Sequence, residues 1–198
     1  GNIYSYNKQT GEILGGSISA QLPKWNFAPF VPFESMPQVD SFILGLTEQC
    51  NLRCTYCCYS GNYVNKRSHN TVSMNTDDVD DILLFIGSFT SNRPIKIFLY
   101  GGEPLLNYNI VQYAIEKSRK QWDNDVSFTI STNGTTLTKE RIDWLVANNV
   151  VLALSIDGTK PFHDSYRVDA QGNGSYTRAY DALKYIKEND MVTVKFLY

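Results

Sequence analysis

With 198 residues, 42% of them hydrophobic and 19% charged, the chain has the composition of a folded globular domain, outside the low-hydrophobicity, high-charge range of disorder. A net charge of -2 and a pI near 5.7 give no general electrostatic attraction to nucleic acid or to an anionic membrane surface, so neither partner is expected. No aliphatic and aromatic run exceeds that of Ile82 to Ile86, against the ~18 residues of a spanning helix, and no signal-like N-terminus is visible, which makes the cytoplasm the expected location.

In chain order, Ile3 to Leu14 forms two short extended runs about Asn7-Lys8-Gln9-Thr10-Gly11, a pattern that predicts a β-hairpin. Residues 15–40 then hold Gly15, Gly16 and the prolines Pro23, Pro29, Pro32 and Pro37, which exclude a long helix; residues 1–40 read as an N-terminal extension to a domain of residues 41–198. From there Phe42 to Leu46, Ile95 to Tyr100, Val126 to Ser131, Val150 to Ile156 and Val192 to Tyr198 are rich in β-branched and aromatic residues and predict buried parallel strands. Helical periods separate them. Val79, Ile82, Leu83 and Ile86 follow Asn75 or Thr76 as N-cap; Ile110, Val111, Ala114 and Ile115 follow Asn107 or Asn109; Ile142, Leu145 and Val146 follow Thr138; and Ala179, Leu183 and Ile186 share a face between about Ser175 and Asn189. This alternation predicts βαβ units and a parallel sheet or barrel. The sequence stops on the fifth strand with no covering helix, so a fragment of a longer protein is expected.

The four cysteines lie within nine residues, as Cys50, Cys54, Cys57 and Cys58, which suits a metal or redox site rather than a disulfide framework between distant segments. Cys50, Cys54 and Cys57 are spaced so that one tight loop can wrap three thiolates around a [4Fe-4S] cube, leaving its last iron open to a small chelating molecule. Zinc is the rival, but a closed zinc site wants a further ligand, and the nearest histidine, His69, stands eleven residues beyond Cys58. Cys58, adjacent to Cys57 and pointing the other way, reads as a small buried hydrophobe, and Tyr56 as an aromatic packed beside the cluster.

The remaining signals sit at strand exits. Gly101-Gly102-Glu103-Pro104 follows the second strand of the alternating region, where paired glycines allow close backbone approach and Glu103 suits a cationic guest. Ser131-Thr132-Asn133-Gly134 and Ser155-Ile156-Asp157-Gly158 close the next two strands, and His163-Asp164-Ser165-Tyr166-Arg167 follows. Singly each passes for a capping turn, but in a parallel α/β architecture all these exits share one face. Arg167 can fork onto a carboxylate, Asn133 can serve sugar hydroxyls and Ser155 adds a hydroxyl.

Taken in order, Cys50-x3-Cys54-x2-Cys57 with Tyr56, then Gly101-Gly102-Glu103-Pro104, Ser131-Thr132-Asn133-Gly134, Ser155-Ile156-Asp157-Gly158 and His163-Asp164-x2-Arg167, resemble the radical S-adenosylmethionine enzymes from about residue 42 onward. The resemblance implies an α/β fold, a partial (β/α)6 TIM-like barrel truncated after its fifth strand. It implies a [4Fe-4S] cluster on Cys50, Cys54 and Cys57 with S-adenosylmethionine chelating the open iron. Gly101, Gly102 and Glu103 would hold its amino group, Arg167 and Ser155 its carboxylate, Asn133 its ribose and Tyr56 the adenine region. It further implies reductive cleavage to a 5'-deoxyadenosyl radical, an external electron donor, and hydrogen abstraction from a peptide or protein side chain.

The Ser-x-Asp-Gly and His-Asp-x2-Arg pair is most similar to the branch of anaerobic sulfatase-maturating enzymes and maturases of ribosomally made peptides. Two enzyme readings stay open, peptide maturation and sulfatase maturation, beside a non-catalytic iron-sulfur redox or sensor module. No catalytic residue is identified. No cysteine follows Cys58, so the auxiliary clusters usual in that branch are not expected within this sequence, and turnover by the sequence alone is in question. The Tyr4, Tyr6, Gly11 and Ile13 pattern resembles a hairpin preceding the barrel in peptide maturases, and equally fits a plain edge ribbon.

Overall fold

The computed structural model describes residues 4–6, 13–15, 39–59, 68–89, 94–122, 126–189 and 194–197. The chain forms two compact units, Gly1–Ser35 and Met36–Tyr198. In the first, strands β1 (Tyr4–Tyr6) and β2 (Ile13–Gly15) pair antiparallel, with Ser5 opposite Leu14, as a hairpin requires. The proline-rich stretch read between Gly16 and residue 38 lies outside the described residues.

The second unit runs β3 (Ser41–Gly45), α1 (Thr76–Phe89), β4 (Ile95–Tyr100), a 3-10 turn (Pro104–Asn107), α2 (Tyr108–Gln121), β5 (Val126–Thr132), α3 (Lys139–Ala147), β6 (Val150–Ser155), α4 (Lys160–Tyr166), α5 (Tyr176–Glu188) and β7 (Val194–Leu197). The strands form one parallel sheet in sequential order, β3-β4-β5-β6-β7, the winding of a partial (β/α) barrel. Register aligns the apolar residues in rows. Leu44, Leu99, Ile130 and Leu152 are successive cross-strand partners, as are Phe42, Ile97, Phe128 and Val150. Both rows face the helices, where Val79, Leu83, Ile86, Val111, Ile115, Ile142, Leu145 and Ile186 complete the core. Because strand side chains alternate, the other face of β3 and β4 carries Ile43, Phe98 and Tyr100, all exposed.

Caps fix where the helices begin. Asn75 Oδ1 accepts from the backbone N–H of Asp77 and Asp78 ahead of α1, and Thr138 accepts from the Arg141 N–H ahead of α3. Asn107 does not cap α2 with its side chain; its Nδ2 donates to the carbonyls of Leu46 and Met74 and ties the β4 exit to the β3 exit. Among the described residues no helix is long and apolar enough to cross a membrane.

Candidate functional site

The segment that leaves β3 carries the cysteines, and three neighbouring pieces of chain hold it. On one side the β4 exit grips it, with Gly102 N–H donating to the Thr47 carbonyl and Glu103 N–H to the Gln49 carbonyl, both at 2.8 Å. On a second side the stretch after α4 runs against it: Arg53 N–H donates to the Val168 carbonyl at 2.6 Å, Thr55 N–H to the Tyr166 carbonyl at 3.0 Å, and Leu52 bridges Asp169. The β5 exit supplies the third hold, because Asn133 Nδ2 donates to Asn51 Oδ1 at 2.9 Å and Asn51 Nδ2 to Thr135 Oγ1 at 2.7 Å. Within the loop, the Leu52 N–H donates to Cys50 Sγ and the Tyr59 N–H to Cys57 Sγ, each at 3.4 Å. Backbone donors aimed at sulfur favour thiolate over thiol. Burial acts the other way, pushing the metal-free Cys50 thiol up to about 11 and raising Cys54 and Cys57 as well. A bound cation would favour the thiolate form of these side chains.

Glu103 is 1% exposed, and its carboxylate is fully engaged. Oε1 accepts from the Leu105 N–H at 3.1 Å and from Thr132 Oγ1 at 2.8 Å, and Oε2 accepts from the Asn133 N–H at 2.7 Å. Burial pushes the carboxyl up to about 7 against the pull of these three donors. Glu103 thus joins the β4 and β5 exits. The carbonyls of Gly101 and Gly102 accept no hydrogen bond from the described residues, which leaves backbone acceptors at this exit.

Across the mouth, Arg167 Nε donates to Asp157 Oδ2 at 2.8 Å, and the Tyr56 hydroxyl donates to the same oxygen at 2.5 Å. Burial raises the Asp157 carboxyl, but these two donors more than offset it and hold it below the usual carboxylate range. The Arg167 guanidinium lies over the Tyr56 ring, 5.3 Å from its centroid, a cation-π contact that fixes both planes. Its Nη groups make no hydrogen bond among the described residues.

All ten residues singled out by sequence line one cavity of about 380 Å³: Cys50, Cys54, Tyr56, Cys57, Gly101, Gly102, Glu103, Asn133, Ser155 and Arg167. Ser131 and Thr132 line it too. One expectation changes. Cys58 is exposed, not buried, because the turn after Cys57 carries it to the outer rim of the cavity. The Asn133 side chain lies at the expected exit and lines the cavity, and its contacts with Asn51, Thr135 and Cys50 also brace the cysteine loop. The bracing residues Asn51 and Thr135 escaped the sequence reading, where polar residues beside a motif are the trace they leave, and Thr132 stood within a quoted motif without a role of its own.

The sequence model of the Radical SAM superfamily matches residues 44–198. A cysteine-type anaerobic sulfatase-maturating enzyme of Clostridium novyi (strain NT) is 28% identical over 166 residues, 80% of this chain and 44% of that protein. The radical SAM cyclopropyl synthase TigE of Paramaledivibacter caminithermalis is 24% identical over 166 residues, 79% of this chain and 34% of that protein. A solved structure of native anSMEcpe with bound AdoMet has a TM-score of 0.69 at 23% identity, covering 79% of this chain and 43% of that one, which is a likeness of fold. The chain spans less than half the length of these relatives. A match over most of the sequence, on a parallel sheet whose motif-bearing exits share one cavity, makes the chain a member of the radical SAM superfamily.

Proposed function

We propose that the cavity binds a [4Fe-4S] cluster on Cys50, Cys54 and Cys57 together with S-adenosylmethionine, the cofactors of this superfamily. The observation that carries the reading is the convergence, on one cavity, of three thiols, an arginine whose Nη groups meet no partner among the described residues and two glycines whose carbonyls accept no hydrogen bond from them. The donor set fits the cluster. Cys50, Cys54 and Cys57 all line the cavity, and a cube takes its sulfur ligands on separate irons. The cavity also falls within the ~300 to 1,000 Å³ usual for small-molecule sites.

The roles follow from position. Arg167, braced by Asp157, forks onto the carboxylate of S-adenosylmethionine with Ser155 beside it. Gly101 and Gly102 offer carbonyls to its ammonium group, while Glu103 keeps that exit in place from behind. Asn133 stands on the ribose side, and Tyr56, held by Asp157, on the adenine side. When bound, the reduced cluster and S-adenosylmethionine supply a 5'-deoxyadenosyl radical that takes hydrogen from a C–H bond. The residues of this chain orient the pair and limit water in the cavity.

The whole protein is accordingly a maturase that modifies a peptide or protein side chain with electrons from an external donor, with residues 1–40 an extension to the domain of residues 41–198. Sulfatase maturation is the second reading, favoured by the name of the Clostridium novyi relative. Protein reconstituted with iron and sulfide without oxygen, then given a reductant and S-adenosylmethionine, is expected to release 5'-deoxyadenosine. A sulfatase peptide and a ribosomally made precursor peptide are offered in parallel, and the one that changes mass assigns the substrate. Reconstituted protein that carries the cluster and yields no 5'-deoxyadenosine with either peptide contradicts the reading.

A further inference from the structure

We propose that His163 and Ser175 are positioning residues that aim Arg167 into the cavity, by closing a one-way ring of hydrogen bonds around the Arg167–Asp157 pair. The inference rests on the reading of the cavity as an S-adenosylmethionine site. His163, on α4, is fully buried and touches no part of the cavity itself. Its Nδ1 stands 3.2 Å from the Asp157 backbone N–H, a group that can only donate, so Nδ1 carries no proton. Its Nε2 stands 2.9 Å from Ser175 Oγ. The single hydroxyl proton of Ser175 is directed at the Arg167 carbonyl, 2.8 Å away, which can only accept. The hydroxyl therefore accepts from His163, and the ring must be the neutral Nε2–H tautomer. Arg167 Nε closes the circuit on Asp157 Oδ2 at 2.8 Å.

The consequence is a guanidinium held at both ends. Its backbone carbonyl is fixed by Ser175, its N–H by the His163 carbonyl at 2.8 Å, and its Nε by Asp157. Only the Nη groups remain to meet a ligand. Burial, reinforced by the positive charge of Arg167, lowers the His163 pKa and keeps the ring neutral. Asp157, Asp164, Lys160 and Arg167 are the charged groups about it, and the Tyr176 ring packs edge-on at 5.4 Å. Asp164 adds a second tie across the same junction, accepting from the Tyr176 N–H at 2.8 Å and pairing with Lys160.

Two measurements test the ring. The chain has two histidines, so long-range 1H–15N spectra of 15N-histidine protein resolve each of them, with His163→Gln giving the assignment. His163 is expected as the neutral Nε2–H tautomer at neutral pH, with its midpoint below the ordinary one of an imidazole. In reconstituted protein, Ser175→Ala is expected to weaken equilibrium binding of S-adenosylmethionine about tenfold per loaded cluster, with iron content unchanged, and Ser175→Thr to recover to within about threefold. A charged or Nδ1–H ring, or a Ser175→Ala protein that binds like the unsubstituted one, overturns the proposal and leaves the cavity reading standing. Unsubstituted protein that loads the cluster and binds no S-adenosylmethionine overturns the cavity reading, and the tautomer separates that failure from a failure of the ring.

Discussion

Gly102→Ala is expected to destabilise the chain by about 3 kcal/mol and lower its melting temperature by roughly 10 °C. A Cβ at this position would stand 2.2 Å from the Gln49 carbonyl oxygen, 2.7 Å from its carbon and 3.0 Å from the Glu48 oxygen. All three are backbone atoms, so no side-chain rotation relieves the clash. Gly101 is equally confined, with φ at +149° and a Cβ site 2.3 Å from the Thr47 oxygen. The two glycines are small because the β4 exit lies directly on the segment leading to Cys50, and the hydrogen bonds from Gly102 and Glu103 form only at that approach. The substitution therefore displaces the cysteine loop as well as costing stability. Gly45→Ala, with nothing within 4 Å of its Cβ, is the control and is expected to shift stability by less than about 0.5 kcal/mol. Thermal unfolding followed by circular dichroism distinguishes the two; equal melting temperatures would mean that the exits are not in contact.

Arg167→Met is expected to have two separable effects. The side chains of Arg167 and Asp157 are 14% and 18% exposed, so removing the cation strands a carboxylate in a poorly solvated place with the Tyr56 hydroxyl as its remaining side-chain donor among the described residues. The cost is about 2 to 3 kcal/mol. It should also weaken S-adenosylmethionine binding about 100-fold, because a charge-assisted fork onto a buried carboxylate is lost. Adding Asp157→Asn removes the stranded charge. The double variant is expected to regain most of the stability, measured by denaturant unfolding, and none of the affinity, measured by equilibrium binding. Recovery of affinity in the double variant would show that Arg167 acts only through folding.

Local signals made much of this architecture legible. Strands β4 to β6 and the helices α1, α3 and α5 follow from apolar periodicity, and the Asn75 and Thr138 caps stand where short polar residues precede it. Helix α4 was not legible: its seven residues, Lys160–Tyr166, contain Pro161 and show no apolar stripe, so the stretch reads as a loop. The loop motifs are recognisable because each packs several restrictive residues into a few positions, and the parallel winding then brings them to one mouth. What a residue does there depends on partners far along the chain. Glu103 reads as an anion awaiting a guest, yet its donors come from Thr132 and Asn133, 29 and 30 residues on. Asn133 reads as a ligand for a sugar and braces Asn51, 82 residues back. Ser175 leaves no mark beyond a helix start, and its role depends on His163 across a turn. Cys58 shows the converse limit: a cysteine is among the most buried residue types on average, and this one is exposed because the turn after Cys57 faces outward.

The account stands on a cluster whose unligated corner meets S-adenosylmethionine. Electron paramagnetic resonance of the anaerobically reconstituted and reduced protein tests this directly, recorded with and without S-adenosylmethionine. The expected result is a [4Fe-4S] signal whose g-values change when S-adenosylmethionine is added, with the change requiring far more ligand in Arg167→Met. A cluster signal indifferent to S-adenosylmethionine, or a protein that takes up zinc and no iron, contradicts it.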